Sequence, residues 1–367
     1  MTVRVNKPSF NIREKLSELG RKFGLKGSEL VAAETVQEAR DLVSAGRRNV
    51  IINGNLDIWE RGTSTTGALS NAYGSADRWM FHTRSLTTRN ISRQAFTNGQ
   101  TDVPGNPIYY LRFEASNDSG SYGAYMMQRI EDVRVGAGED VTVSFYAKTN
   151  SGGGTFETAF SQQFGSGGSG ATDNVAGSFT PTSSWKKYSF TVNLPSISGK
   201  TIGTNNYLRF DIRFPSNTAV TLDVAQVQVE RGRNATDFEH RSYGEELALC
   251  QRYFRKFGTG AQFIRGATGT VYSSAPLQTF YPLIPDMRAT PTGSNAAGGT
   301  TVTGQGFTAT YSSSPGTHEY VATFYNTGGG SMVMGLNYNQ VNNGGSNLPT
   351  SVAFVGLSDV LHLDAEL

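Results

Sequence analysis

Cysteine and charge are both scarce in this sequence. Cys250 is the single cysteine among 367 residues, so no internal disulfide can form, and its apolar helical surroundings favour a small buried side chain. Charged residues make up 17% of the chain, and 32 basic against 30 acidic residues leave a net charge of +2. This balance argues against a general nucleic-acid-binding protein, which needs an excess of positive charge.

Long apolar runs are missing as well. No stretch of about eighteen consecutive apolar residues occurs, and the start of the chain contains no apolar core of a signal peptide. We therefore expect a soluble protein that is made in a cytosol, without a cleaved leader and without membrane insertion.

Glycine is abundant, with 43 residues, and favours loop-rich β structure. The runs SGGG at Ser151–Gly154 and GSGGSG at Gly165–Gly170 predict surface loops. The second run matches G-x-G-x-x-G by its letters, but no helical apolar period follows it. We therefore interpret it as a loop and not as a dinucleotide site.

Apolar residues alternate with polar ones in the central part of the chain. The alternation occurs in VTVSFYAK from Val141, in YSFTVNL from Tyr188 and in YLRFDIRF from Tyr207, and it predicts half-buried strands of an antiparallel sandwich. In LDVAQVQV the phase slips by one residue, which predicts a β-bulge near Ala225 and Gln226. We predict a mainly β protein with a central jelly-roll sandwich over residues 49–241 and a smaller β-sandwich over 258–367.

Two regions show a helical period instead. Residues 1–48 predict short helices that need a partner surface, because each runs only about ten residues; their apolar stripes contain Ile12, Leu16, Leu19, Val36, Ala39, Leu42 and Val43. Residues 242–257 predict a linker helix with a capping box of Ser242 and Glu245. Its packing residues are Leu247, Cys250, Phe254 and Phe257.

Catalytic and metal-binding signatures are not found. The four histidines have no zinc-like spacing, and adjacent acidic pairs such as Glu131 with Asp132 are more often solvated than catalytic. Asp223, beside the predicted bulge, could ligate a structural calcium ion through oxygen. We therefore predict a protein that is not an enzyme and has no cofactor apart from this calcium hypothesis.

Aromatic residues form 11% of the chain and are candidates for sugar stacking. For the tryptophans, burial in the core is the alternative, whereas the tyrosines near the end of the chain lie beside asparagine and glycine in predicted loops. The candidate glycan contacts are Trp59, Trp79, Tyr325, Asn337 and Tyr338.

Several stretches carry a family resemblance. They are AGRRNVIINGNLDIWERGTS from Ala45, ADRW from Ala76, QVQVERGRNATDFEHRSYGEELALCQRYF from Gln226, PDMRATPT from Pro285, the start PSFNIREKLSEL and the final LDAEL. Together they resemble the tail-fibre and receptor-binding proteins of tailed bacteriophages, particularly those of marine phages. The resemblance implies a central jelly roll like that of carbohydrate-binding modules, an N-terminal segment attached to the virion, a distal C-terminal domain and a homotrimer.

We therefore expect a virion protein, assembled in the host bacterial cytoplasm, that binds a host surface glycan for adsorption. Its expected partners are two further copies of itself, other tail or collar proteins and the glycan, with no nucleic acid. A sustained heptad array and an extended repeat are missing, so a short spike or fibre is expected. The alternatives are a polysaccharide depolymerase and a purely architectural collar or head fibre.

Overall fold

The computed structural model describes residues 47–67, 69–83, 89–115, 124–151, 153–216 and 218–257, and shorter segments between 262 and 366. These are 262–264, 278–282, 285–289, 292–295, 301–308, 316–326, 332–338, 353–357 and 361–366; their side chains are described for 285–289 and 362–366. The apolar stripes of the predicted N-terminal helices, Ile12, Leu16, Leu19, Val36, Ala39, Leu42 and Val43, lie outside the described residues.

Twelve strands between residues 64 and 231 build two facing sheets. Sheet A has the order β1-β4-β5-β12-β7-β10, with β1 Ser64–Thr66, β4 Arg89–Ala95, β5 Tyr109–Ala115, β7 Asp140–Ser151, β10 Lys186–Asn193 and β12 Val220–Arg231. Sheet B has the order β2-β3-β6-β11-β8-β9, with β2 Ser70–Tyr73, β3 Met80–His82, β6 Tyr125–Glu131, β8 Phe156–Gln163, β9 Thr172–Phe179 and β11 Tyr207–Arg213. Because the chain passes repeatedly from one antiparallel sheet to the other, this is a jelly-roll-like sandwich, and the predicted mainly β class is confirmed.

The core lies between the two sheets and follows the predicted alternation. In β7, Val143 and Phe145 are fully buried against Phe210 and Ile212 of β11 and their neighbours. The predicted bulge is confirmed, because the pairing of β12 with β7 shifts between Ala225 and Gln228. Gln226 takes a positive φ of 49° there. The shift turns the second half of β12 back toward the core, which compensates the phase slip in the sequence.

Helix α1, Tyr243–Gln251, is shorter than the sequence predicts. Ser242 caps it by accepting a hydrogen bond from the Glu245 backbone N–H at 3.3 Å. Arg252 ends the helix, and Phe254–Phe257 forms strand β13. The prediction of one helix from 242 to 257 is therefore wrong beyond Gln251, because pairing of Phe254–Phe257 with a strand at the far end of the chain overrides the local helical period.

The predicted packing residues of this linker consequently lie on two elements. Cys250 is buried on α1 and Phe254 is buried on β13, whereas Leu247 and Phe257 are half-buried. The buried helix face also contains the carboxylate of Glu246, which accepts a hydrogen bond from the Asn53 backbone N–H and lies 3.3 Å from Arg241 Nη1. The helix therefore packs on the sandwich partly through a buried ion pair.

Two sheets follow the helix. A three-stranded sheet has the order β13-β21-β16, with β16 Thr292–Asn295 and β21 Leu361–Asp364. A six-stranded sheet has the order β14-β20-β17-β18-β19-β15, with β14 Gln262–Ile264, β15 Gln278–Pro282, β17 Thr301–Thr308, β18 Gly316–Asn326, β19 Met332–Tyr338 and β20 Ala353–Leu357. Its edge strands β14 and β15 approach each other without pairing.

The last described residues, Leu361–Glu366, attach this C-terminal region to the sandwich, and we name them the C-terminal clasp. Arg61 Nη1 donates to Asp364 at 2.8 Å, and Arg78 Nη1 donates to Glu366. The Ala365 backbone N–H donates to the Tyr253 carbonyl at 2.8 Å. In the described part of the chain, no helix is long and apolar enough to span a bilayer.

Candidate functional site

A groove of about 630 Å³ lies on the outer face of sheet B, the face that points away from the core. The central strands β6 and β11 contribute Tyr125, Met127, Arg209 and Arg213. Strand β8 and the region of β9 contribute Ser161, Gln163, Ala171, Thr172 and Asp173, and Asn71 and His82 come from β2 and β3. The groove thus crosses all six strands of the sheet, a span of about 24 Å at roughly 4.8 Å per strand.

Arg209 and Arg213 of β11 line the floor of the groove, and Asp211 lies between and beneath them. Because side chains at i, i+2 and i+4 share one face of a strand, Arg209, Asp211 and Arg213 all point outward. Asp211 Oδ2 accepts from Arg209 Nη2 at 2.9 Å and from Arg213 Nη2 at 3.3 Å. Burial raises the pKa of Asp211, and the two arginines oppose this shift. The carboxylate therefore holds both guanidinium groups in place.

One end of the groove carries a planar aromatic surface. The rings of Tyr125 and His82 lie side by side, with centroids 5.5 Å apart and a tilt of 38°. Asn71, at a positive φ of 54°, places its Oδ1 atom 3.2 Å from His82 Nδ1. Flat rings beside amide and imidazole groups offer both apolar contact and hydrogen bonds to a ligand.

The opposite end is bounded by β9 and by the glycine loop before it. Ser161 Oγ donates to the Thr172 carbonyl at 2.7 Å, and Gln163 Nε2 donates to Ser161 Oγ at 2.7 Å. In the loop, a Cβ atom on Gly165 would lie 2.1 Å from the Thr204 carbonyl oxygen, so glycine is required for this close approach. The Ser166 N–H then donates to the same carbonyl at 2.9 Å. The predicted loop is thus pinned to the sandwich beside the groove.

Residues that follow the sandwich in the chain contact another part of this sheet face. Tyr253 Oη donates to Glu131 of β6 at 2.9 Å, and Arg252 Nη2 donates to the same carboxylate at 3.0 Å. These contacts hold the pKa of Glu131 below its ordinary value even though burial opposes this. Met80 at the same end of the sheet is buried, and Tyr73 is half-buried. The open groove lies on the part of the face away from these contacts.

The tryptophans predicted as glycan contacts do not lie in this groove. Trp79 is 0% exposed and Trp59 is 8% exposed, and their indole N–H groups donate to the carbonyls of Asn53 and Leu56 at 3.0 and 2.5 Å. Because Trp79 is fully buried and Trp59 is nearly so, the structure contradicts the predicted sugar contact at both residues. Both rings lie in the core because burying a large aromatic ring whose N–H is hydrogen-bonded is more favourable in free energy than exposing it to water.

The other predicted contacts lie in the C-terminal six-stranded sheet. Tyr325 is in β18, and Asn337 and Tyr338 are in β19, so they lie near strand ends and not in the loops that the sequence suggests. Their side chains lie outside the described part of the structure. Their role in glycan contact stays a prediction.

The calcium hypothesis at Asp223 is also wrong. Its carboxylate is 0% exposed and accepts from Arg112 Nε at 2.7 Å and from Asn150 Nδ2 at 2.8 Å. Lys148 Nζ lies 3.8 Å away, so the charge is already balanced by protein cations. Among the described residues, no group of three or more His, Cys, Asp or Glu side chains could hold a metal ion.

Sequence reasoning missed the charged residues of the groove, although a signal was present. The strand YLRFDIRF was interpreted through its apolar positions, while its polar positions read Arg, Asp, Arg at 209, 211 and 213. In the structure these three charges do not form a simple solvated face. Asp211 is 1% exposed, and charged side chains are rarely buried unless they are paired. Burial of that carboxylate is what the sequence does not reveal.

The groove lies partly in a stretch that matches a known family. Residues 97–205 match the family model described as a carbohydrate binding domain, and the matched stretch includes β6, β8 and β9. Part of the sandwich is therefore similar in sequence to this family. A comparison with curated proteins gives no match.

Solved structures with a similar fold include binding modules and an enzyme. The CBM22-1 xylan-binding domain of Paenibacillus barcinonensis Xyn10C shares 9% identity over 52% of this chain and 100% of that chain, with a TM-score of 0.31. A family 11 carbohydrate-binding module of Clostridium thermocellum shares 15% identity over 47% and 97%, with a TM-score of 0.29. A cyclase from Fischerella sp. TAU shares 13% over 51% and 98%, with a TM-score of 0.35. These similarities are too low for any transfer of function.

Proposed function

We propose that this protein binds a carbohydrate in the groove on sheet B. The observation that carries the proposal is the coincidence of the family match over residues 97–205 with an open groove of about 630 Å³ on the same sandwich. Binding sites combine a concave surface, a few aromatic or apolar contacts and a small number of placed polar groups. This groove has all three.

The lining suits a sugar because it mixes flat and hydrogen-bonding surfaces. The half-buried rings of Tyr125 and His82 supply flat surface for the carbon face of a pyranose ring. Gln163, Asn71 and the β11 arginines supply amide and guanidinium donors for its hydroxyl oxygens. The span across six strands accommodates an oligosaccharide and not just a single ring.

The test is binding of the full chain to a glycan array, followed by calorimetry with the best ligand. We expect Tyr125→Ala to weaken binding at least about tenfold, because an aromatic side chain that anchors a ligand commonly carries that much affinity. Tyr243→Ala is the matched control, since Tyr243 is 59% exposed on α1 and does not line the groove. Equal affinities of the two variants would count against the groove.

We further propose that the glycan lies on a bacterial surface and that the protein is a receptor-binding component of a phage particle. The sequence resemblance to phage tail-fibre and receptor-binding proteins supports this proposal. Weak sugar contacts would be reinforced by a homotrimer, because linked sites raise avidity on the order of a hundredfold or more. A particle reconstruction and mass measurement test it: a monomer that is absent from the virion contradicts it.

A depolymerase is the alternative with an observation in its favour, namely the raised pKa of Asp211 at the groove floor. However, this carboxylate is 1% exposed and is held by Arg209 and Arg213, so a substrate does not reach it in this geometry. Incubation with host polysaccharide and measurement of new reducing ends distinguishes the two. Release of oligosaccharides would replace the binding proposal by an enzymatic one.

A further inference from the structure

The charged groups of the groove floor are unequally exposed. The side chains of Arg209 and Arg213 are 28% and 19% exposed, whereas that of Asp211 between them is 1% exposed. A ligand in the groove therefore meets guanidinium groups and not the carboxylate that orients them. Guanidinium is a donor of fixed planar geometry that matches carboxylate and sulfate oxygens.

The hydrogen bonds of Arg213 to described residues all use Nη2. This atom donates to Asp173 at 2.5 Å and to Asp211 at 3.3 Å. The donors on Nε and Nη1 remain for a ligand, since a guanidinium carries five N–H groups. Arg213 is thus anchored on one side and can bind on the other.

The charged groups around the floor balance in number but differ in position. Two arginines against Asp211 leave one positive charge, and the strand register adds Arg129 beside Arg209 and Glu157 beside Arg213, one charge of each sign. Asp173 at the rim, whose side chain is 52% exposed, pairs with Arg213 and balances the remaining charge. The arrangement nevertheless offers an anion the guanidinium groups of Arg209 and Arg213, because Asp211 lies beneath them, while Asp173 opposes the anion from the rim.

We infer that the ligand of the groove is an acidic glycan, whose carboxylate or sulfate group is bound by Arg213 and Arg209. This inference rests on the proposed carbohydrate-binding function and names the class of glycan. Tyr125 and His82 then contact the ring of a neighbouring sugar, while the acidic group lies over β11.

The experiment compares pairs of polymers that share a sugar backbone and differ in whether they carry acidic groups. The full chain is titrated with polygalacturonate and with its methyl ester, and in parallel with dextran sulfate and with dextran. We expect the acidic member of at least one pair to bind about tenfold or more tightly, with an affinity that falls as salt is added. The pair that shows the preference identifies the carboxylate or the sulfate as the anion.

Two variants, one that removes a positive charge and one that removes a negative charge, make the test more specific. Arg213→Gln should abolish the preference for the acidic polymer, whereas Asp173→Asn should strengthen binding of that polymer about two- to fivefold at low salt, because it removes a negative charge from the rim. Arg134→Gln is the control, as Arg134 is 59% exposed and does not line the groove.

The possible results distinguish failure of the acidic-glycan inference from failure of the proposed carbohydrate-binding function. Equal binding of the neutral and acidic polymers, or an acidic preference that survives Arg213→Gln, overturns the acidic-glycan inference and leaves carbohydrate binding intact. Failure of every polymer and of the glycan array overturns both.

Discussion

The two outer faces of the sandwich contain similar polar residues but differ in what covers them. On sheet A, Gln228 and Glu230 are 0% and 3% exposed. The segment after β12 covers them, and Thr236 donates its N–H and hydroxyl to Glu230 at 2.9 and 2.7 Å. On sheet B, Arg209 and Arg213 stay partly exposed in the groove. Polar side chains on the sandwich faces are therefore structural where the chain covers them and available to a ligand where it does not.

The C-terminal clasp extends this comparison, because it covers part of sheet B with ion pairs. Arg78 and Glu366 have side chains 1% and 5% exposed, and Arg61 Nη2 donates to the same carboxylate at 3.1 Å. The guanidinium of Arg78 also lies 3.5 Å from the ring centre of Tyr253. If covered polar groups are structural, disrupting them should change stability and not ligand affinity.

The largest expected effect is the loss of the Arg78 side chain. Arg78→Met leaves Glu366 buried beside fewer cations, and breaking a buried pair by removing one partner costs about 3–5 kcal/mol of unfolding free energy. Chemical denaturation followed by fluorescence measures it. The double variant Arg78→Met with Glu366→Leu should recover part of the loss, because no uncompensated carboxylate remains; an equal loss in both variants would contradict the clasp as an ion-pair attachment.

The second effect concerns the covered face of sheet A. Glu230→Ala leaves the buried donors of Thr236 and Gln228 without their acceptor, which should lower the unfolding free energy by about 1–3 kcal/mol. Glycan affinity, measured by calorimetry below the unfolding transition, should stay unchanged. A loss of affinity at preserved stability would show that this face also takes part in binding.

A pH-dependent effect is expected at Asp77. Burial raises the pKa of this carboxyl from its ordinary 3.8 to about 7, although Arg61 opposes the shift. Because the folded state then holds a proton that the unfolded state has released, the contribution of Asp77 to stability is full below about pH 4 and falls as the pH rises toward 7.

Asp77→Asn should remove this dependence. The unfolding free energy of the variant relative to the natural protein should improve between about pH 4 and about pH 7, measured by denaturation at each pH. A constant difference across this range would refute a raised pKa at Asp77.

The smallest effect is expected where a charged pair is fully open to solvent. Arg134 and Asp132 have side chains 59% and 44% exposed, and their closest atoms lie 3.1 Å apart. Arg134→Gln should change the unfolding free energy by less than about 0.5 kcal/mol, since exposed pairs are screened by water. A loss of unfolding free energy above about 1 kcal/mol would show that an exposed charge can also be important for stability in this protein.

The sequence predicted most of the local structure of the sandwich. Alternation in VTVSFYAK and YLRFDIRF identifies the core-facing residues, and the phase slip in LDVAQVQV locates the bulge at Gln226. These features depend on neighbours within a few residues, so the pattern reveals them. The helix after Ser242 was predicted too long because Phe254–Phe257 pairs with residues more than a hundred positions away.

The candidate site was predicted less well, for the same reason. Trp59 and Trp79 looked like ligand contacts, but the tertiary fold buries both. The charged positions of β11 were visible in the sequence, yet nothing local shows that Asp211 lies beneath two arginines while Arg213 stays accessible.

The sequence by itself determined the mainly β class, the residues that face the core, the bulge and the cap of α1, because backbone geometry and hydrophobic periodicity act over short stretches of chain. Only the tertiary structure decided which polar faces are covered, where the C-terminal clasp attaches and which charges line an open groove. Those outcomes depend on strands and segments that are distant in sequence, and burial by such segments determines whether a charged side chain stabilises the fold or remains available to a ligand.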